Sequence, residues 1–70
     1  MNVIALRQKL LEKHVRVKDL KAILGISNSA LQRKLSGKNE FSRCEVKKII
    51  EYLELQNDEA MFIFFDREVS

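Results

Sequence analysis

Polar side chains that can recognise hydrogen-bond patterns are concentrated between residues 28 and 33 of the chain. Leu31 and Leu35 are four residues apart, so a helix in this segment would turn both of them toward its own protein. The opposite face of that helix and its edge then carry four polar side chains, Asn28, Ser29, Gln32 and Arg33. Amide and guanidinium groups can make two parallel hydrogen bonds to one planar partner, which is the chemistry needed to recognise the edge of a nucleic-acid base.

The residue types in this polar group match particular bases. Asn and Gln bond bidentately to adenine and Arg to guanine, and each such pair contributes about 1 to 3 kcal/mol of discrimination between bases. We therefore predict that the group contacts base edges in the major groove of DNA. The same pattern also fits the solvated face of an ordinary amphipathic helix, and the spacing leaves both interpretations open.

Five further residues near this segment are suited to phosphate groups. They lie at the start of a predicted helix or directly after the predicted recognition helix, and helix N-termini and basic loops commonly bind anions. The predicted DNA phosphate contacts are Arg16, Lys18, Lys38, Asn39 and Arg43.

Charge is distributed unevenly along the chain, although its formal net value is a modest +3. Residues 16–43 hold seven basic and two acidic side chains, whereas residues 44–70 hold three basic and seven acidic ones. A central basic block suggests a surface that faces a polyanion. An ordinary solvated surface is the alternative, and charge alone leaves it open.

The composition favours several short helices in one domain. The 70 residues include no proline and two glycines, and 46% of them are hydrophobic, so few residues would break a helix. One cysteine cannot form an internal disulfide, and one cysteine with one histidine cannot supply four zinc ligands. We therefore expect an all-α fold, a single five-helix domain over residues 1–70, stabilised by packing or by self-association.

Apolar spacing predicts the first two helices. The first covers residues 3–14, with His14 at its C-terminus, where a cationic side chain is favourable. The second covers residues 17–24 and ends at Gly25, where a helix can stop in a left-handed conformation. The apolar stripe of the first helix consists of Val3, Leu6 and Leu10, with Ile4 and Leu11 alongside.

Capping residues predict where the other helices begin. Ser27 caps a third helix that runs to residue 35 or 36 and is closed by Gly37. Ser42 and Glu45 form a capping box for a fourth helix, and Asn57 caps a fifth. Residues 60–65 of this last segment are all apolar, and a run of this composition fits either a helix or a strand.

Residues 17–36 thus form a short helix, a turn that contains Gly25 and a second short helix, which is the helix-turn-helix arrangement. This part of the chain resembles the helix-turn-helix of the Cro and lambda-repressor class of phage regulators, and the resemblance covers residues 4–64. It rests on the run 18–27, KDLKAILGIS, and on Leu31, Gln32, Arg33, Leu35, Ser36, Gly37 and Lys38.

The resemblance implies a lambda-repressor-like fold and a sequence-specific transcription regulator of double-stranded DNA, of the phage repressor or Cro type. The base-reading positions of that class coincide with the polar group described above. Lys21 and Lys34 stand where the class prefers a small and an apolar residue. We expect their stems to lie along apolar surface while their ammonium groups stay in water.

The aromatic residues lie outside the predicted recognition segment, and four of the five lie beyond residue 50. A single-strand or RNA binder would instead interleave aromatic with basic residues. We expect a homodimer that reads an inverted repeat or, alternatively, an antirepressor-type module that binds another phage regulator. In either case the predicted dimer or partner surface consists of Phe62, Phe64 and Phe65.

The chain shows no pattern typical of an active site: no metal-ligand spacing, no phosphate-binding loop and no nucleophile beside a base. Cys44 has no histidine near it in sequence and is expected to be structural or incidental. We therefore expect no catalytic residues, cofactor, metal or small-molecule substrate. Charged residues interrupt the first apolar stretch after residue 6, so we expect no membrane span and a cytosolic location.

Overall fold

The structure, a computed structural model, describes residues 1–65. Its helices are α1 (Val3–Glu12), α2 (Val17–Leu24), α3 (Asn28–Leu35), α4 (Arg43–Leu53) and α5 (Asn57–Phe64). No strand occurs among these residues, so the all-α prediction is confirmed. The predicted domain of residues 1–70 also includes residues 66–70, which lie outside the described part of the chain. None of the described helices is long and apolar enough to cross a membrane.

One small core holds the helices together. α2 packs against α3 and α4, and α1 packs against α5. The fully buried side chains, each less than 2% exposed, are Leu6, Leu20, Leu31, Leu35, Ile49 and Leu53. A domain of this size buries only about 60% of the surface of its unfolded chain. Each of these few side chains therefore carries a large share of the stability.

The first helix is shorter than predicted, and two of its apolar residues face outward. α1 ends at Glu12, and His14 lies two residues beyond it in a left-handed conformation with φ 56°. An α-helix makes one turn in about 3.6 residues, so the rotation that buries Leu6 directs Ile4 and Leu11 away from the core. Their exposures are 72% and 76%, so the two residues that the sequence placed alongside the apolar stripe do not belong to the core.

The connection between α2 and α3 forms as predicted. Gly25 has φ 66°, a left-handed conformation that costs a residue with a Cβ about 1 to 2 kcal/mol. Ser27 then caps α3, since its Oγ accepts a hydrogen bond of 3.1 Å from the Ala30 backbone N–H. These two residues define where α2 ends and where α3 begins.

The capping box predicted for α4 is confirmed. The Glu45 backbone N–H donates to Ser42 Oγ at 3.2 Å, and the Ser42 backbone N–H donates to Glu45 Oε1 at 2.7 Å. Two otherwise unpaired donors at the start of the helix are thereby satisfied. The start of α4 is fixed by residues three positions apart, which is why the sequence identified it.

The cap predicted for α5 is displaced by one residue. The N-cap is Gln56 rather than Asn57, and its backbone N–H donates to Glu59 Oε1 at 3.2 Å. The reason is that Glu59 stands three residues after Gln56, the spacing that a capping box requires. The helix continues to Phe64, so the helical alternative is confirmed for residues 60–64.

A charged cluster joins α1 to α5. Lys9 pairs with Glu59 across the two helices and with Glu12 at 3.1 Å within α1. The hydrogen bond from Lys9, followed by one from the Gln56 backbone, lowers the pKa of the Glu59 carboxyl. The hydrogen bonds to Glu59 and then to Glu12 raise the pKa of Lys9.

Replacing Gly25 by alanine is expected to destabilise the fold by about 1 kcal/mol, because its left-handed backbone is unfavourable for a residue with a Cβ. An added Cβ would meet no atom within 4 Å, so the loss comes from the backbone alone. Glu54, with φ 54°, provides the matched control. Glu54→Gly relieves the same strain and is expected to raise the midpoint of urea denaturation, whereas a shift of the same sign in both variants would contradict this account.

Candidate nucleic-acid interface

α3 presents the predicted polar group on its outer surface. Leu31 and Leu35 are 0% and 1% exposed and anchor the inner face of the helix in the core. The exposed side chains of the helix are Asn28, Ser29, Gln32 and Arg33. The structure therefore brings these four residues together on one face of a helix whose start is fixed by the Ser27 cap.

The five predicted phosphate contacts are exposed and lie at helix ends. Two lie at the start of α2, two follow α3 and one begins α4: Arg16, Lys18, Lys38, Asn39 and Arg43. The backbone N–H groups of Lys38 and Asn39 donate to the Arg33 carbonyl oxygen at 3.0 and 3.3 Å. This loop therefore folds back onto the end of α3, and its position relative to the polar face is fixed.

The expectation that the Lys34 ammonium group stays in water is wrong. Its Nζ donates a hydrogen bond to Oε1 of Glu45 and lies 5.7 Å from the centroid of the Phe41 ring. Only 16% of the Lys34 side chain and 11% of the Glu45 side chain are exposed. A paired carboxylate and an aromatic face both stabilise a cation that has lost water, so a lysine is accommodated where the resemblance implies an apolar residue. Lys21, the other such lysine, is exposed.

Glu45 connects the ends of two helices. Its Oε1 accepts hydrogen bonds from Lys34 of α3 and from the Ser42 backbone N–H at the start of α4. Burial acts to raise the pKa of the Glu45 carboxyl, but the hydrogen bonds from Lys34 and Ser42 outweigh it, so the pKa lies below its ordinary value. The carboxylate is therefore charged at neutral pH and ties the C-terminal half of α3 to the first turn of α4.

The sequence indicated only half of this arrangement. The spacing of Ser42 and Glu45 identified the capping box, but nothing connected Glu45 with Lys34, eleven residues earlier. The one available signal was a cation at a position where an apolar residue was expected, because a buried cation requires a partner.

The three aromatic residues predicted to form one surface are divided among different surroundings. Phe64 is partly buried and packs edge-on against Phe41, with 6.4 Å between the ring centroids and 85° between the planes. Phe62 and Phe65 are 51% and 53% exposed. Phe62 lines a hollow with Gln8, whereas Phe65 lines another with Phe41 and Phe64. Their contact with a partner stays a prediction.

The family of the chain is shown by comparison with known proteins. A family model described as the BetR domain matches residues 4–66, nearly the whole chain. The chain belongs to the BetR domain family. BetR domains are small helical domains generally described as HTH-like transcription regulator domains, and membership indicates a DNA-binding regulatory role in general. No curated protein and no solved structure shows a significant match to the chain.

Neutralising Glu45 as Glu45→Gln is expected to destabilise this BetR domain by about 1 to 2 kcal/mol, because it leaves the Lys34 ammonium largely buried without a carboxylate. Glutamine can still accept the Ser42 hydrogen bond, so the helix cap is retained. Adding Lys34→Met removes the unpaired cation and is expected to return the stability close to that of the wild type. Chemical denaturation measures both variants, and a double variant as unstable as Glu45→Gln would contradict the ion-pair account.

Acid is expected to weaken the same contact. Because the pKa of Glu45 is lower in the folded chain than the ordinary 4.5, its contribution to stability is present above pH 4.5 and is lost as the pH falls through the folded value. The Lys34→Met, Glu45→Gln BetR domain lacks this carboxylate, so its stability should fall less steeply below pH 4.5. Glu59 titrates in both proteins and cancels in the comparison. Equal slopes in acid denaturation would show that the pair does not contribute.

Proposed function

We propose that this BetR domain binds a specific double-stranded DNA sequence, reads it in the major groove with α3, and acts as a transcription regulator of the phage repressor or Cro type. The observation that supports this function is the division of α3 into a face of two buried leucines and a face of four exposed polar residues. A helix in the groove needs this division, since one side packs on its own domain while the other meets base edges. The proposed base contacts are Asn28, Ser29, Gln32 and Arg33.

In this proposal the residues at the helix ends hold the domain on the phosphate backbone. Phosphate contacts fix register and orientation and carry no sequence information of their own. Because the 38–39 loop is bonded to the Arg33 carbonyl oxygen, a phosphate bound there would set how α3 enters the groove. The proposed phosphate contacts are Arg16, Lys18, Lys38, Asn39 and Arg43.

The length of α3 favours two copies acting together. Its eight residues span about 12 Å, which covers roughly four base pairs at about 3.4 Å each. So short a site recurs far too often among the roughly 10⁶ or more competing sites of a genome. The proposed assembly is a homodimer that reads an inverted repeat with its two α3 helices about 34 Å apart.

Selection from a random duplex DNA library tests this function. The selection is made at near-physiological salt, because phosphate binding alone would otherwise pass for specificity. We expect enrichment of an inverted repeat. Recovery of no preferred sequence would contradict sequence-specific reading.

Substitutions at two exposed residues of this region distinguish base contacts from phosphate contacts. Arg33→Ala is expected to relax the preference at one base pair of the selected site, whereas Lys38→Ala weakens binding to every sequence about equally. Lys38→Ala should also reduce the slope of log affinity against log salt concentration by about 1. An unchanged sequence preference in Arg33→Ala would show that α3 does not lie in the groove as proposed.

The second candidate function is an antirepressor-type module that binds another phage regulator. The exposure of Phe62 and Phe65, at 51% and 53%, favours a protein contact at this end of the chain. In that role the aromatic residues meet the partner and the polar face of α3 reads no DNA. Absence of enrichment in the selection would favour this candidate over the first.

A further inference from the structure

α1 carries an exposed apolar stripe on its outer side. Ile4 and Leu11, at 72% and 76% exposure, are the most exposed large hydrophobic residues in the described part of the chain. They are seven residues apart, or about two helical turns, so both lie on the same side of α1. Neither adds to the core of its own subunit. This spacing is typical of a helix that packs on another helix.

Phe62 of α5 lies near Gln8, an exposed residue of α1. It is 51% exposed and lines a hollow of about 160 Å³ beside α1 together with Gln8. Gln8 in turn lies one helical turn from both Ile4 and Leu11. We refer to the four residues Ile4, Gln8, Leu11 and Phe62 as the α1 ridge.

The charges beside the α1 ridge are complementary to a second, parallel copy of α1. When α1 is numbered with the seven-residue repeat of a coiled coil, Ile4 and Leu11 occupy d positions and Gln8 an a position. The flanking g and e positions are held by Arg7 and Glu12. In two parallel helices a g residue meets the following e residue of the other chain, so Arg7 would pair with Glu12 of the partner subunit. In an antiparallel pair Arg7 would face Arg7 of the partner subunit, and like charges repel.

Both charged side chains are placed to make this contact. Arg7 is exposed, and 66% of the Glu12 side chain is exposed although it accepts a hydrogen bond of 3.1 Å from Lys9. An ionised carboxylate has two oxygens and can accept from further donors. The charge pattern is therefore complementary to a second copy of this chain on the ridge, and it favours the parallel over the antiparallel orientation.

We propose that two copies of this chain associate through their α1 ridges, with the two α1 helices parallel about a two-fold axis. This proposal specifies which surface forms the homodimer of the proposed function, and it rests on the existence of that homodimer. Gln8 lies at the centre of the contact and would fix its register at a cost in affinity. A standard interface buries about 800 Å² on each partner, more than four side chains supply, so the association is weak and is strengthened when two copies occupy neighbouring half-sites.

Disulfide trapping tests the parallel contact. The single native cysteine, Cys44, is exposed and is first replaced as Cys44→Ser. In that background Ile4→Cys is expected to form a disulfide-linked dimer in a glutathione redox buffer, because equivalent d positions face each other in parallel helices. Tyr52→Cys, at a 48% exposed site on α4, is the matched control and should stay monomeric. Cross-linking only between Ile4→Cys and Leu11→Cys chains would overturn the parallel orientation, and equal yields in Ile4→Cys and Tyr52→Cys would overturn the interface.

Sedimentation equilibrium tests the interface without any cross-link. Up to about 1 mM protein, the wild type is expected to show reversible dimerisation, and Leu11→Lys should weaken it at least about tenfold. Tyr52→Lys, at a 48% exposed residue of α4 outside both the α1 ridge and the predicted aromatic surface, is the control and should dimerise as the wild type does. Both substituted residues are exposed, and circular dichroism checks that each variant is folded. A wild type that stays monomeric, or a loss of dimer in Tyr52→Lys but not in Leu11→Lys, would overturn the proposal.

The α1 ridge and the proposed reading of DNA can be contradicted separately by these experiments and the DNA selection. An enriched DNA sequence together with a monomeric wild type would support DNA reading and overturn the ridge. A dimer lost in Leu11→Lys together with no DNA enrichment would support the ridge and contradict the proposed reading of DNA.

Discussion

The burial of Leu31 and Leu35 is the constraint on which the proposed DNA interface depends. α3 has eight residues, and these two fully buried side chains determine which face of the helix is turned to the core. That orientation decides which polar side chains face outward. The Ser27 cap at one end and the loop bonded to the Arg33 carbonyl oxygen at the other then fix where the helix begins and ends.

The attachment of α3 to α4 is ionic rather than purely apolar. Lys34 and Glu45 meet in a largely buried pair, and the same Glu45 oxygen caps α4 through the Ser42 backbone N–H. Such a pair contributes little net stability because desolvation offsets much of the attraction, but it is directional. We infer that it serves mainly to define how α3 lies against α4, since an apolar contact at this point would tolerate sliding.

Features that depend on neighbouring residues in the chain could be predicted from the sequence. The C-terminus of α2 depends on Gly25, and the N-termini of α3 and α4 depend on Ser27 and Ser42. The conformations or hydrogen bonds of these residues involve only residues within about one helical turn. The polar face of α3 followed from the same short-range periodicity. Features that depend on distant residues could not be predicted. Periodicity placed Ile4 and Leu11 beside the apolar stripe of α1, but the packing of α1 on the other helices decides how much of that stripe is covered.

The small core and the exposed α1 ridge bear on the same energetic problem. A domain of this length gains only about 3 to 5 kcal/mol from its own core, yet it leaves Ile4, Leu11 and Phe62 largely in water. Pairing of two ridges would bury this apolar surface only in folded chains, so association would stabilise the fold by mass action. DNA half-sites that raise the local concentration of two copies would then stabilise each of them. On this argument the interface that doubles the length of DNA read also compensates for the limited core of the single domain.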